Sequence, residues 1–350
     1  MGLKSTSGQS GGNLLNLFNT KDITDRVSGW VQPTKYQFPI GASGGNISNA
    51  EPGNGYVYHV FTSSGTFTIS SIAGSATCNV DMLVVGAGGP TPDCSSPSNV
   101  GSNAGGGGGG IAHGVNYPLG VGSYTITVGD AIELGQNGVD STFVASPTVT
   151  IVGKGGGRGA AYQSPTTGQP GGSGGGGGYP GAAGGTATQP TQNPGIPQIT
   201  NYGNAGGQAI SPEAPNYENG GGGGAGAAGE PGSPTPSPYA LSQGVGGAGQ
   251  PFTGFAGPLF PTMPTAWIAE VATQGYYGGG GAGAGNQCPP HTGGVGGGAD
   301  SVNPEPGAGY GANGMDNTGG GAGGTNNSPQ NGAPGGSKGG KGIVIIRYAP

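Results

Sequence analysis

Two catalytic patterns occur in the sequence, and each lacks the neighbours that its chemistry requires. The serine motif G-x-S-x-G spans residues 41–45 and 171–175, but neither copy has the strand, tight turn and helix that expose a nucleophilic serine. The loop at residues 153–159 could surround a phosphate, yet it lacks the Walker spacing. The histidines show no metal-ligand spacing. The sequence therefore predicts a protein that is not an enzyme and uses no metal or cofactor.

The charged residues exclude further classes of function. The net charge is −6, and no Lys or Arg lies between Arg158 and Lys338. A protein that binds nucleic acid needs a basic stripe to displace counterions, so we predict no nucleic-acid partner. No apolar run approaches the length of a membrane span. The N-terminus lacks a basic region followed by an apolar run, so no signal peptide is indicated.

The residues best suited to binding are aromatic side chains that interrupt the glycine-rich part of the chain. They are Tyr202, Tyr217, Tyr239, Phe252, Phe255, Phe260, Trp267, Tyr276 and Tyr277. The stretch at residues 251–277 is the longest glycine-poor interruption and holds most of them. Tyr and Trp on loops offer a large contact area at low entropic cost and stack on sugar rings. Two interpretations stay open: these residues bind a receptor, or they shield the exposed ends of the glycine structure.

Residues 155–341, in which glycine dominates, must position these aromatic side chains. Glycine and proline supply 89 and 31 of the 350 residues. A segment with almost no Cβ atoms cannot bury side chains, so its order must come from backbone hydrogen bonds between neighbours. Extended helices with three residues per turn point these groups outward, and each bond between such helices contributes about 0.5–1.5 kcal/mol. We predict a bundle of polyglycine II helices with distal loops; the alternative for this composition is disorder.

Short strands precede this body, and one strand follows it. Residues 66–70 and 80–85 are typical of strands. The last strand, residues 343–348, is apolar on both faces, so it must insert into the sheet that the earlier strands form. The sequence predicts an all-β fold with little α-helix, in which residues 51–154 and 342–350 form a small β-sandwich. No strand is expected within the body, which is an insertion with both ends fixed.

The N-terminal segment, residues 1–50, stands apart from these two regions. Its apolar residues include a cluster that is typical of a short helix or docking peptide. They are Leu14, Leu17, Phe18 and Trp30. This segment could attach the protein to a larger assembly, or it could fold against its own domain, and both interpretations stay open.

Four sequence pieces, taken in order, resemble a known family. They are residues 61–67, 80–89, 124–129 and 339–348. Together with the repeated glycine runs, they resemble the glycine-rich domain of phage tail-fibre and adhesin proteins. The extracellular glycine-rich domain of some animal receptor kinases is similar. The resemblance implies a β-sandwich of the TNF or jelly-roll type, polyglycine II helices, and distal loops that contact a host surface.

The resemblance also implies a function. It favours a non-enzymatic phage virion protein, a tail-fibre or tail-tip adhesin that recognises a host surface glycan or outer-membrane protein through the aromatic loops. The alternative is a structural virion component, such as a capsid decoration or tail protein, with the glycine body as a rigid spacer. Either would be assembled in the host cytoplasm, lie on the tail or capsid surface, and contact other virion proteins through residues 1–50. Homo-oligomerisation and the pairing of Cys94 with Cys288 stay open.

Overall fold

The structure is a computed structural model. It describes residues 40–92, 102–131, 135–161, 167–210, 218–232, 244–285, 290–302, 311–325 and 336–350. The predicted attachment residues Leu14, Leu17, Phe18 and Trp30 lie outside the described residues, as do Cys94 and Cys288. Within the described ranges, no helix is long and apolar enough to cross a membrane.

Strands dominate the regular structure of the described residues. The strands are β1 (Gly41–Ser43), β2 (Ile47–Ala50), β3 (Val57–Phe61), β4 (Gly65–Ser71), β5 (Cys78–Val85), β6 (Ile111–Leu119), β7 (Gly122–Thr127), β8 (Ser141–Ser146), β9 (Val149–Gly153), β10 (Ile199–Tyr202), β11 (Gln250–Pro251), β12 (Tyr276–Tyr277) and β13 (Ile343–Tyr348). The α-helix is α1 (Thr265–Val271), and single 3₁₀ turns lie at Gln189–Thr191, Thr253–Phe255 and Gly257–Leu259. Strands hold 29% and helices 6% of these residues, so the prediction of an all-β fold with little helix is confirmed.

The longer strands form two antiparallel sheets. The first has the order β1-β4-β7-β8-β9, and the second has the order β10-β6-β5-β13-β3-β2. The predicted N-terminal segment, residues 1–50, includes β1 and β2, but these two strands belong to the sheets. The reason is that β1 pairs with β4 and β2 pairs with β3, so each strand completes one sheet edge.

The final strand occupies the middle of the second sheet, as its apolar sequence predicted. In β13, Ile345 lies opposite Val60 of β3 on one side and Leu83 of β5 on the other. All four residues from Ile343 to Ile346 are fully buried. The end of the chain therefore pairs with strands that lie more than two hundred residues earlier, which fixes both ends of the intervening body.

The two sheets share one hydrophobic core. Phe67, Ile126 and Phe143 from the first sheet pack with Val84 and Ile346 from the second. Alternate side chains of each strand point into this core because successive residues of a strand face opposite sides. The opposite face of the second sheet is also apolar and belongs to a separate cluster. The second sheet therefore needs a cover on its outer face.

The sequence analysis missed three strands inside the body: β11 and β12, which pair with each other, and β10. β10 lies inside the glycine body, yet it joins the second sheet by pairing with β6, with Thr200 opposite His113. The expectation that no strand occurs within the body is therefore wrong. β10 has four residues, too few for an alternating pattern to stand out. Its Ile199 packs into the shared core, and its Tyr202 packs against the outer cluster.

The glycine body is ordered by hydrogen bonds between main-chain groups of distant segments. Successive amides of residues 105–110 donate to three neighbouring segments in rotation. Gly105 and Gly108 donate to residues 220 and 223, Gly106 and Gly109 to residues 322 and 319, and Gly107 and Gly110 to residues 157 and 154. A donor that returns to the same neighbour at every third residue indicates three residues per turn. The pattern favours the polyglycine II interpretation, which stays a prediction.

The carbonyl groups of the same tract are also bonded. They accept from residues 86 and 89, from residues 173 and 176, and from residue 281. Neighbouring segments therefore surround residues 105–110 on all sides, and the backbones approach closely. A Cβ atom built on Gly106 would lie 2.0 Å from the carbonyl oxygen of Gly89, which no real side chain tolerates. Glycine at this position follows from the close approach.

Candidate functional site

Most of the aromatic residues predicted to bind a receptor lie in a structure that we call the pad, residues 250–277. The pad contains β11, two 3₁₀ turns, α1 and β12, and it packs against the outer face of the second sheet. Phe255, Phe260 and Trp267 form one cluster with Tyr58 and Ile345 of that sheet. Phe260 meets the Tyr58 ring edge-on, with 5.4 Å between ring centroids.

Burial changes the role of these residues. Five of the predicted receptor-binding residues are at most 7% exposed, and they are Phe252, Phe255, Phe260, Trp267 and Tyr277. Their side chains contact the protein interior, so we do not retain these five as candidates for binding a receptor. The other interpretation, that they shield the ends of the glycine helices, needs correction, since they cover a sheet. The physical reason is that β5 and β13 are apolar on both faces, so the outer face requires an apolar cover.

Two polar contacts help fix the positions of the pad aromatic residues. The indole N–H of Trp267 donates to the carbonyl oxygen of Asn317 at 2.9 Å. The hydroxyl of Tyr277 donates to the carbonyl oxygen of Phe255 at 2.8 Å. Burial raises the pKa of Tyr277 well above its usual value, so its hydroxyl stays protonated and available as a donor.

Arg347 ties the pad to the sheet. Its guanidinium group donates to Asp81 from Nε and Nη2, at 3.0 and 2.9 Å, and from Nη1 to the carbonyl oxygen of Gly254 in the pad, at 3.0 Å. The group also lies over the ring of Tyr56 at 4.2 Å and that of Phe255 at 5.0 Å. Burial by itself lowers the pKa of Arg347. The interactions with Tyr58 and Asp81 together have the larger effect, so the pKa of Arg347 is raised.

The remaining predicted binding residues fall into two groups. Tyr202 and Tyr276 are half-buried at the rim of the pad, where the ring of Tyr202 meets that of Phe252 at 5.4 Å. Tyr217 and Tyr239 lie outside the described residues. The seven predicted residues that the structure describes therefore do not form one exposed surface.

The loop at residues 153–159 has no free amide with which to hold a phosphate. The amides of Gly155 and Arg158 donate to the side chains of Asp140 and Asn137, at 2.8 and 3.0 Å. The three glycine amides at positions 156, 157 and 159 donate to carbonyl oxygens. Lys154 pairs with Asp140 at 2.7 Å. The phosphate interpretation is wrong because each main-chain amide of residues 154–159, which would have to donate to the phosphate, already has a partner.

The serine and histidine patterns likewise show no catalytic geometry. Ser173 is fully buried among glycine tracts, and Ser43 ends the exposed edge strand β1. His59 is buried in the shared core and donates from Nδ1 to the carbonyl oxygen of Gly44 at 2.8 Å. His113 packs 4.8 Å from the ring of Phe252. Among the described residues, no three metal-binding side chains gather into a cluster.

The end of the glycine body that lies away from the sheets, here called the distal end, is built differently. Tracts leave the sheets after Val85 and Gly153 and return at Ile111 and Ile343, so their far ends meet away from the sheets. A layer of buried polar residues closes these ends, each at most 4% exposed. They are Thr91, Ser102, Asn103, Glu218, Asn219, His291, Ser301, Thr325 and Ser337.

Side chains of this polar layer bridge neighbouring tracts. The amide nitrogen of Asn219 donates to the hydroxyl of Ser102 at 2.9 Å and to the carbonyl oxygen of Ala284 at 2.6 Å. The amide nitrogen of Asn103 donates to the hydroxyl of Thr325 at 2.9 Å. Backbone groups that lose their partners where a tract stops are costly to bury. The polar side chains supply those partners, so the distal end is closed by specific contacts.

The residues of the polar layer all lie within two positions of chain segments that are outside the described residues. Described residues of the distal end flank the segments 93–101, 162–166, 211–217, 233–243, 286–289, 303–310 and 326–335. Glu218, for example, forms antiparallel bridges with Ile210 and Gly285, so the residues before and after 211–217 lie side by side. Tyr217 and Tyr239 belong to two of these segments, and none of them contains Lys or Arg.

Comparison with protein families identifies the chain. A model described as the glycine-rich domain matches residues 61–349, and the chain therefore belongs to this family. Comparison with curated proteins gave no match. The predicted resemblance to a glycine-rich domain is confirmed, while its phage tail-fibre context stays a prediction.

Proposed function

We propose that the protein is a non-enzymatic adhesin of a phage virion, borne on a tail fibre or tail tip, that binds a host surface glycan or outer-membrane protein through its distal end. The observation that carries this proposal is that polar residues from distant parts of the chain come together in one buried layer at the distal end, where Asn219 bonds Ser102 and Asn103 bonds Thr325. A binding surface made of several loops on one rigid support is a common solution in recognition proteins.

The support for these segments is stiff in the way that recognition requires. Bonded main-chain groups surround residues 105–110 on all sides, and the polar layer links tract ends by side-chain bonds. A preorganised support lowers the entropic cost of binding. Tyr217 and Tyr239 are the contact residues that we retain from the sequence, and the five buried pad residues are no longer candidates.

The experiment compares Tyr217 and Tyr239 with a tyrosine of the pad. Purified Tyr217→Ser/Tyr239→Ser protein should lose adsorption to host cells and should no longer block infection, while Tyr276→Ser should retain both. Tyr276 is the matched control because it is half-buried on the pad, at the end of the body next to the sheets. Unimpaired adsorption by the double variant would contradict the proposal.

The alternative is a structural virion component in which the glycine body is a rigid spacer. The observation that favours it is that the body begins directly after β9 of the first sheet and ends at β13 of the second, which holds both ends of the body at fixed positions. This role predicts that the protein does not adsorb to cells at all, and that particles lacking residues 1–39 lose the protein. In both roles, Leu14, Leu17, Phe18 and Trp30 contact other virion proteins.

A further inference from the structure

Asn–Gly pairs are chemically weak points of a protein chain, because the glycine amide nitrogen attacks the asparagine side chain without obstruction from a Cβ atom. The described residues contain four such pairs: Asn54–Gly55, Asn137–Gly138, Asn219–Gly220 and Asn313–Gly314. The attack requires the glycine nitrogen to lose its proton and to turn toward the side chain. A hydrogen bond from that N–H therefore protects the pair.

Three of the four pairs are protected in this way. Gly138 donates to the carbonyl oxygen of Gly156 at 2.8 Å, Gly220 to that of Gly177 at 2.9 Å, and Gly314 to that of Lys338 at 2.9 Å. Each of these bonds belongs to the network that orders the glycine body. Asn313 is the most informative of the three, because it is exposed like Asn54 while its glycine amide is held.

Asn54–Gly55 lies in the exposed turn between β2 and β3, and its glycine amide has no hydrogen-bond partner among the described residues. Gly55 has a φ of +83°, and no atom lies within 4 Å of a Cβ built there. The side-chain carbonyl oxygen of Asn54 (Oδ1) accepts a hydrogen bond from the main-chain amide of Tyr56 at 3.2 Å. This bond folds the side chain back over the Gly55 peptide unit and polarises the carbonyl group that the nitrogen must attack.

We propose that Asn54 is a site of spontaneous deamidation in the folded protein. Solvent base removes the proton of the Gly55 amide, and the nitrogen forms a bond to Cγ of Asn54. The bond from Cγ to Nδ2 breaks, ammonia leaves, and a cyclic imide remains. Water then opens the imide at either carbonyl group, which gives aspartate or isoaspartate. The overall reaction consumes one water and releases one ammonia.

The product alters the attachment of the pad. The Asn54 side-chain nitrogen donates to the Tyr58 hydroxyl at 2.8 Å, and that hydroxyl donates to the pad carbonyl oxygen of Gly254 at 3.0 Å. A carboxylate at position 54 has no proton to donate at neutral pH, and a phenol has a single hydrogen. The Tyr58 hydroxyl must then bond to either the new carboxylate or Gly254. Deamidation therefore weakens one of the polar ties between sheet and pad.

The test incubates the folded full-length protein in mildly alkaline buffer and follows each Asn–Gly pair by peptide mass spectrometry. Asn54 should convert at least about tenfold faster than Asn313, which is the factor that one amide hydrogen bond of about 1.4 kcal/mol supplies. The Asn54→Gln variant should show no conversion at residue 54 and unchanged rates elsewhere, because its longer side chain forms the ring poorly.

A denatured sample separates structure from sequence. In strong denaturant the four pairs should react at similar rates, since each has the same glycine neighbour. Equal deamidation rates at Asn54 and Asn313 in the folded protein would overturn the proposal. It would also be overturned if Asn54 reacted faster than Asn313 by the same factor in denaturant as in the folded protein. The Asn54→Asp variant should also exchange the Phe255 amide proton faster than the parent protein; unchanged exchange would refute the link to the pad.

Discussion

The two halves of the molecule are held together by different chemical groups. The sheets are joined by side chains: Phe67, Phe143 and Ile346 are fully buried in one shared core. The glycine tracts are joined by main-chain bonds, as in residues 105–110, where each amide donates to a distant segment. A core of side chains tolerates some change of shape, because side chains can move to other rotamers. A backbone lattice has no such freedom.

The junction between the halves combines the two modes. The pad covers the outer face of the second sheet with aromatic side chains, while Glu270 of α1 accepts from the amides of Gly296 and Gly297 at 2.9 and 2.8 Å. One face of the pad therefore belongs to a hydrophobic cluster, and one edge holds the glycine body. The difference between the halves predicts which substitutions each will accept.

Removing a large side chain should have the largest effect at the pad. Phe260→Ala should lower the free energy of unfolding by about 3–5 kcal/mol, because it removes a buried ring and leaves a cavity. The half-buried Tyr276 is the control, and Tyr276→Ala should cost below about 1 kcal/mol. Denaturant unfolding of both variants measures the difference. Equal costs would show that Phe260 is not part of a packed core.

Adding one small side chain should damage the body and spare the turns of the sheets. Gly106→Ala places a Cβ 2.0 Å from the carbonyl oxygen of Gly89, and overpacking of this kind costs at least about 1–3 kcal/mol. In Gly120→Ala, the nearest atom to the new Cβ is the carbonyl oxygen of Ala76 at 3.7 Å, which is an ordinary contact. Thermal unfolding should separate the two variants, and similar stability would argue against close backbone packing.

Two fully buried serines, one in each half, sharpen the comparison further. The hydroxyl of Ser141, on β8, accepts from the amide of Gly129 at 2.9 Å, so Ser141→Ala should cost about 1–3 kcal/mol by leaving that donor unpaired. The hydroxyl of Ser173, in the body, has no partner. Ser173→Ala should therefore be neutral or stabilising. A substantial loss of stability in Ser173→Ala would mean that side-chain bonds also order the tracts.

Acid should weaken the sheets through histidine. Burial lowers the pKa of His59 from its ordinary value of 6.5, and the bond to Gly44 opposes this effect only in part. Burial also lowers the pKa of His113. The charge of Asp81 raises this pKa and the charge of Arg347 lowers it, and the net shift is downward. The unfolded chain therefore binds protons below pH 6.5 that the folded protein excludes, and stability falls as the pH drops below that value.

The control for this effect is His59→Gln. Its stability should fall less than that of the parent protein between neutral pH and pH 5, the lower end of the range in which free histidine takes up its proton. Denaturant midpoints on both sides of the histidine transition measure the change. Identical pH profiles for the variant and the parent would contradict a buried neutral His59.

Parts of this structure could be predicted from the sequence, for physical reasons that are visible in single elements. β13 is apolar on both faces, and a strand of that kind has to lie inside a sheet. The glycine runs require main-chain bonding, since they have no other means of order. The pad could not be located, because the same aromatic residues suit a binding loop and a sheet cover, and only the fold shows which surface they meet.

The polar layer carried a signal that could have been used. Asn219, Thr325 and Ser337 each lie next to a glycine run, and Asn103 lies two residues before one. At these positions a tract stops and its main-chain groups need new partners. Sequence order alone did not show that these ends meet, because the tracts come from distant parts of the chain. That these tract ends meet is therefore seen only in the structure.

Amide hydrogen exchange of the whole protein tests the central claim most directly. If main-chain bonds order the body, the amides of residues 105–110 should be protected as strongly as those of β5 and β13, since opening them requires the surrounding segments to separate. Exchange of residues 105–110 at the rate of an unstructured peptide, with the sheets still protected, would contradict the account.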